Sequence, residues 1–366
     1  MPDIKQSPFH AFHQENGARF VPFAGWEMPV QYTSILEEHR AVRKTAGLFD
    51  ISHMGEVRVF GQDAEEYLNY IATNDVTKLS DGRALYSMLC YENGCVVDDV
   101  IITRFDVNDF FLCINASNTD KDIDWMLKQA KRFNCAIKDE TSQYALLALQ
   151  GPRAETILGM STEANLKYLK RFYLIRNKVS GIKVLISRTG YTGEDGFELY
   201  CPTKNALPLA RALQEVGNTH GLKLCGLGAR DSLRLEAGLS LYGHEISDEI
   251  SPLEAGLGWT VKFSKTDDFI GRSALEKEKS LGSSRQLIFF QLNNRRIARG
   301  GTPVFFKNKK IGTVVSGTLS PMINKPIGSA LITVEDVDLD KLYVDLRGHK
   351  INLERTIPPL HKQAKN

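Results

Sequence analysis

Two stretches lying close together in the chain constrain its fold more than any other feature: Ser187-Arg-Thr-Gly-Tyr-Thr-Gly-Glu-Asp-Gly-Phe-Glu198 and Gly226-Leu-Gly-Ala-Arg-Asp-Ser-Leu-Arg-Leu-Glu236. They crowd glycine, aromatic, carboxylate and guanidinium groups to a density that a segment serving packing alone seldom needs. Glycine lets the backbone bend and approach a bound molecule closely. Carboxylates and arginines can then hold a flat, polar heterocycle through paired hydrogen bonds. The pattern implies a small-molecule pocket.

At 366 residues the chain exceeds what one hydrophobic core supports, so two or three domains are expected. A formal net charge of +2 gives no general argument for nucleic acid or membrane as partner. Cys90, Cys95, Cys113, Cys135, Cys201 and Cys225 form no CxxC pair and read as reduced, mostly core-filling thiols. His10 and His13 are the only close histidine pair, and HExxH is absent, so no metal is expected. No stretch of about 20 apolar residues offers a membrane span. The segment from Met1 to Pro8 resembles neither a secretory signal nor a mitochondrial presequence. The expected location is the cytoplasm, although a trimmed organellar form would look the same.

Ser34-Ile-Leu-Glu37 has capping-box spacing and opens a helix that Gly47 can end. Gly55–Phe60 alternates apolar and polar residues and reads as a strand. Residues 84 to 116 read as a meander, with Ala84–Cys90 and Cys95–Phe105 joined by a tight turn at Glu92-Asn-Gly94. Asn118 can cap a helix running to about Lys131. Tyr144–Leu149 and Ile182–Ser187 read as strands, and Leu207–Gly217 and Arg230–Gly238 as helices. From Gln286 onward come short β-rich runs: Gln286–Leu292, Thr302–Phe306, Ile311–Val315, Ala330–Val334 and Leu342–Leu346. They imply a small antiparallel barrel or sandwich beyond a boundary near Lys277–Arg285.

Asp98 and Asp99 sit in a strand of β-branched residues and point to opposite faces. Either one of them faces an interior or a pocket, or this is an edge strand with one solvated and one turn-capping acid, and alternation does not choose between the two aspartates. Tyr191, between glycines after an apolar strand, can stack on or hydrogen-bond a flat ligand. Glu198, following Glu194 and Asp195, can pair with two donors on one edge of a pterin or purine. Arg230, where a helix begins, suits an anchor for ligand oxygens. Gly226-Leu-Gly-Ala-Arg-Asp231 lacks the third glycine and the βαβ context of a dinucleotide site, and GxSxG is absent.

Taken in order, these motifs resemble the T-protein family of the glycine cleavage system, the tetrahydrofolate-dependent aminomethyltransferases. The resemblance runs over nearly the whole chain. It includes Phe23-Ala-Gly-Trp-Glu-Met-Pro29, Gly47-Leu-Phe-Asp-Ile-Ser-His-Met54, Asn93-Gly-Cys-Val-Val-Asp-Asp99, Arg188–Gly196, Gly226–Glu236, Tyr242-Gly-His-Glu245, Ser251–Trp259 and Ser316–Pro321. The resemblance implies an α+β, three-lobed fold with antiparallel sheets and a C-terminal β-barrel or sandwich lobe. Residues 1–55 with 140–250 would form the first lobe, 56–139 with 251–276 the second, and 277–366 the third. It implies that Asp99 is catalytic and that Tyr86, Tyr191, Glu198 and Arg230 line the folate site. Its co-substrate would be tetrahydrofolate and its partner the lipoylated carrier (H) protein, with no metal. Gly94-Cys95 stands where the family often has Gly-Gly. Two rivals share the fold: a folate-dependent demethylase, and a non-enzymatic folate binder of iron–sulfur maturation, whose marker cysteine motif is absent from Ser251–Trp259.

Overall fold

Tyr144–Gln150 is too apolar for a surface strand, and it runs inside a six-stranded sheet. The strand order is Leu174–Val179, Ile182–Ser187, Gly196–Pro202, Tyr144–Gln150, Ala46–Asp50, Leu222–Cys225. Every pairing is antiparallel except the last, which is parallel. The two-residue period sends Leu147, Leu149, Phe197 and Leu199 to one face. There they pack with Phe12, Ile157, Leu158, Leu209 and Leu213 from the helices His10–Glu15, Ala154–Gly159 and Ala206–Asn218. Each such side chain contributes about 1.5–3 kcal/mol on burial.

The opposite face carries Glu198 and Tyr200. It meets a second sheet of order Ala84–Cys90, Val96–Asp106, Asp109–Ile114, Gly55–Phe60, Ala136–Asp139. Phe111 of that sheet lies edge-on to Tyr144 and Tyr200, with ring centroids 5.6 and 5.4 Å apart.

The structure, a computed structural model, describes residues 4–363. Its contacts divide the chain into two units. The first holds the chain up to Leu68, Val76–Tyr86 and Val100–Asp231; the second holds Asn69–Asp75, Ser87–Asp99 and the chain from Ser232. The division falls inside Ala84–Cys90, inside Val96–Asp106 and inside the helix Leu227–Ala237.

The second unit contains a seven-stranded antiparallel sheet of order Lys350–Asn352, Tyr343–Asp345, Pro303–Phe306, Lys309–Ser320, Lys325–Thr333, Arg285–Gln291, Glu354–Thr356. Phe290, Val304, Val314, Ala330, Ile332 and Val344 form its core. A buried ion pair stands beside that core: Arg234 donates to Glu245 at 2.7 Å and to the Ser316 hydroxyl at 2.8 Å. Glu245 also accepts from the Ser329 hydroxyl at 2.6 Å and the Leu241 amide at 3.0 Å. Burial opposes its charge, yet Arg234 and these donors hold its carboxyl below the usual carboxylate range.

Several local expectations stand and several shift. Asn93 and Gly94 make the expected turn, with the Tyr91 amide bonded to the Cys95 carbonyl at 2.9 Å. The Ser34 hydroxyl accepts from the Glu37 amide at 3.3 Å and opens the helix Ile35–Lys44. Gly47 does not end that helix. Thr45 does, and Gly47 lies in the buried strand Ala46–Asp50, where a Cβ would sit 2.5 Å from Val42 and 2.7 Å from the Cys225 sulfur. Asn118 precedes the helix Thr119–Gln129 without a side-chain cap bond. The helix read from Arg230 begins at Leu227. The runs read as Ile311–Val315 and Ala330–Val334 are parts of the longer strands Lys309–Ser320 and Lys325–Thr333, the former continuing through a bulge between Val314 and Ser316.

Arg234→Leu leaves Glu245 buried without its counter-charge. It is expected to cost the second unit about 3–5 kcal/mol, read as an earlier urea transition followed by tryptophan fluorescence and circular dichroism. Gly47→Ala is expected to cost the first unit about 1–3 kcal/mol by overpacking, in the same measurement.

Candidate functional site

The loop between Ile182–Ser187 and Gly196–Pro202 is held from three directions, all within the first unit. Arg188 forks onto Asp195, donating from Nε at 3.0 Å, and reaches Glu155 at 2.7 Å and the Leu166 carbonyl at 2.8 Å. Arg43 donates to the Thr192 carbonyl at 2.6 Å and to Glu194 at 3.0 Å. The Gln150 side chain accepts from the Thr192 hydroxyl at 3.0 Å and donates to the Thr189 carbonyl at 3.1 Å. Gly190 is needed here because a Cβ would fall 2.0 Å from Gln150 Oε1. Glu194 and Asp195, grouped with Glu198 in the sequence reading, are thus spent on fixing the loop. The Arg188 guanidinium, followed by opposing partial burial, sets the lowered pKa of Asp195.

This framework brings three of the five expected site residues together. Tyr191 is half-buried in the loop, and the Arg230 guanidinium lies 4.6 Å from its ring centre. That is a cation–π contact. Glu198 lies on the facing strand and accepts a hydrogen bond from the Thr189 hydroxyl. Burial raises its carboxyl pKa, while Thr189 and the Arg230 charge pull it back down. Tyr86 belongs to the same unit, half-buried on Ala84–Cys90. Asp99 is half-buried and closes the Ser87–Asp99 segment of the second unit, whereas Asp98 is fully buried. That difference settles which of the two acids keeps an accessible surface.

Four further residues adjoin the cluster and escaped the sequence reading. Cys113 and Tyr200 lie beside Glu198, and burial, followed by neighbouring ionisable groups, pushes both well above their ordinary values. Glu56 pairs in register with Cys113 across the strands and is 0% exposed. Its strand, Gly55–Phe60, is the one that alternation marks, and alternation says nothing of how deeply Glu56 is buried. His53 is buried, with Phe23 edge-on at 5.5 Å, and borders a recess of about 500 Å³. Burial first, then the Arg230 charge, lowers its pKa to about 3. The imidazole therefore stays neutral, and Arg230 keeps its charge without a cationic neighbour at that position.

A carboxyl, a guanidinium stacked on a phenol and a glycine-bearing loop held by Arg188, Arg43 and Gln150 are chemically suited to a flat, polar ring. Over nearly its whole length the chain is similar to aminomethyltransferases of the glycine cleavage system. The family model described as "GCVT N-terminal domain" matches residues 9–265, and "Glycine cleavage T-protein C-terminal barrel domain" matches residues 285–362. The crystal structure of glycine cleavage system aminomethyltransferase T from Bartonella henselae superposes with a TM-score of 0.91. It is 35% identical and covers 98% of both chains. An aminomethyltransferase from Bacillus pumilus is 46% identical over 99% of this chain and its own full length. One from Symbiobacterium thermophilum is 49% identical over 90% of each. The chain belongs to the glycine cleavage T-protein family; it is an aminomethyltransferase of the glycine cleavage system. No described helix is long and apolar enough to cross a membrane.

His53 makes the first unit acid-sensitive. Between pH 6.5 and about 3 the unfolded chain binds a proton at this position that the folded chain refuses, so stability falls as pH falls through that window. His53→Gln should flatten the decline by up to about 3–5 kcal/mol, checked by urea unfolding at pH 7 and pH 4. Equal declines in the two proteins would show that His53 is not the group responsible.

Proposed function

We propose that this chain joins an aminomethyl group, delivered on the lipoyl arm of the lipoylated carrier (H) protein, to tetrahydrofolate. Ammonia leaves and 5,10-methylenetetrahydrofolate forms. The observation that carries this reading is the Arg230 guanidinium stacked on Tyr191, with Glu198 within its field. A reduced pterin presents adjacent N–H donors along one edge, and a carboxylate can accept two at once. Glu198 takes that edge, and Arg230 takes the pterin carbonyl oxygen. Tyr191 and Tyr86 bound the ring. The ligand's donors favour the ionised form of Glu198 and so offset the burial that opposes it.

In the transfer, the carbon–sulfur bond to the arm and the carbon–nitrogen bond to ammonia break. Two carbon–nitrogen bonds to the folate form. The two folate N–H protons leave, one to the sulfur and one to the departing nitrogen, and the carbon keeps its oxidation level. Asp99 orients the attacking folate nitrogen and stabilises positive charge as an iminium-like species develops. Holding both reactants in one geometry contributes much of the remaining rate. The three-lobe division (1–55 with 140–250, 56–139 with 251–276, and 277–366) and a cytoplasmic location belong to this same reading.

Mixing the protein with tetrahydrofolate and aminomethyl-loaded carrier should release ammonia and methylenetetrahydrofolate in equal amounts. Folate binding without turnover would instead favour a non-enzymatic folate binder. Glu198→Gln and Arg230→Ala should each weaken folate binding at least about tenfold, read by calorimetry. Asp99→Asn should slow single-turnover transfer about 100-fold or more with folate affinity retained. An unchanged rate would remove Asp99 from the chemistry.

A further inference from the structure

Behind the proposed pterin edge lies a second carboxyl that the transfer does not use. Glu56, on Gly55–Phe60, is 0% exposed, and among the described residues neither of its carboxyl oxygens has a hydrogen-bond partner. Its register partner Cys113 and the nearby Glu198 both keep partial exposure. Glu56 therefore sits one layer further from solvent than the groups that a ligand would meet.

The charges around it favour its acid form. Asp139, on Ala136–Asp139, and Glu198, on Gly196–Pro202, both act against ionisation, after burial itself. Cys113 and Tyr200 lie on the same side, with burial holding both protonated. Arg58, two residues along the same strand face, is engaged by Asp109 and by the ring of Phe105. Glu198 differs from Glu56 in having both a hydrogen-bond donor, Thr189, and the charge of Arg230 on its side. Two neighbouring carboxyls in such unlike surroundings divide their roles, one acidic and one anionic.

We propose that Glu56 is a positioning residue of the folate pocket: a carboxylic acid seated behind Glu198, it leaves Glu198 as the anionic acceptor for the pterin edge, and it forfeits this role on ionising. The inference rests on the folate reading of the site. Ionised Glu56 would place a second unscreened negative charge beside Glu198. The proton leaves to solvent, and the repulsion between two carboxylates in one buried layer would push the Glu198 carboxylate away from the position that meets the pterin edge.

Glu56→Gln keeps the shape and stays uncharged at every pH. The probe is 5-methyltetrahydrofolate, titrated calorimetrically into both full-length proteins between pH 6.5 and 9. The wild type should lose affinity as pH rises and Glu56→Gln should rescue it, the ratio of dissociation constants growing to at least threefold at pH 9. The second readout is thermal unfolding without folate. A carboxyl that holds its proton in the folded state above the unfolded pKa stabilises fully below that value and loses this contribution as pH rises. The Tm of Glu56→Gln should therefore gain on the wild type between pH 5 and 8. A merely structural residue would shift Tm and affinity by the same amount at every pH. A constant Tm difference, or parallel affinity profiles with normal folate binding, overturns the role given to Glu56 and leaves the pocket intact. Absence of folate binding in both proteins overturns the folate reading and this inference with it.

Discussion

The candidate site in the first unit turns on one electrostatic constraint: burial opposes the charge of the Glu198 carboxyl, and the Thr189 hydroxyl and the Arg230 guanidinium act against that opposition. Removing a carboxylate from water costs several kcal/mol unless an opposite charge or hydrogen-bond donors replace its hydration. Thr189 and Arg230 supply part of that replacement, and Tyr191 backs the guanidinium with its ring. The replacement is incomplete, because burial still leaves the Glu198 carboxyl above its ordinary pKa. In the proposed function a ligand edge rich in N–H donors would complete it, and affinity and selectivity would come from the same deficit.

Much of the surrounding structure holds those groups in place. The ion pairs of Arg188 with Asp195 and of Arg43 with Glu194 involve partly exposed carboxylates, and each by itself stabilises little. Their effect is geometric: with Gln150 they tie the loop to strands and helices that a large apolar core immobilises. His53 adds a complementary device, since its buried imidazole stays neutral beside Arg230. A preorganised site of this kind loses little energy to rearrangement when a ligand enters or charge develops.

The second unit rests on a different arrangement. Arg234 and Glu245 form a buried pair whose remaining hydrogen-bond capacity is taken up by Ser316, Ser329 and the Leu241 amide. One helix, Leu227–Ala237, carries both Arg230 and Arg234, so the two arginines share a covalent frame although they belong to different units. The Gly226–Glu236 stretch that stands out in the sequence therefore places Arg230 against Tyr191 at one end and Arg234 in a buried ion pair at the other.

Strands and turns with a strong local signature were legible from the residues: Ile182–Ser187, Tyr144–Gln150 and the turn at Asn93-Gly94. Gly47 misled because glycine both ends helices and admits close neighbours, and only the positions of Val42 and Cys225 decide which applies. Ile311–Val315 stops short within Lys309–Ser320 because a bulge interrupts the alternation without ending the strand. Tyr191, Glu198 and Arg230 could be picked out because glycine density marks a loop that must approach something closely. Glu56 and His53 could not: a glutamate in an alternating strand looks solvated, and a lone histidine looks like any other.

The chain alone therefore determined its family, the strands and turns with a strong local signature, and the glycine-rich loop that carries Tyr191, since propensity, turn chemistry and motif order are local properties. Tertiary structure decided which ionisable groups carry charge. Glu56, Cys113 and Glu198 come from strands far apart in sequence, and only the packing of two sheets makes them neighbours. A pKa answers to the dielectric and the charges around a group, and those are set by chain segments that sequence proximity does not reveal.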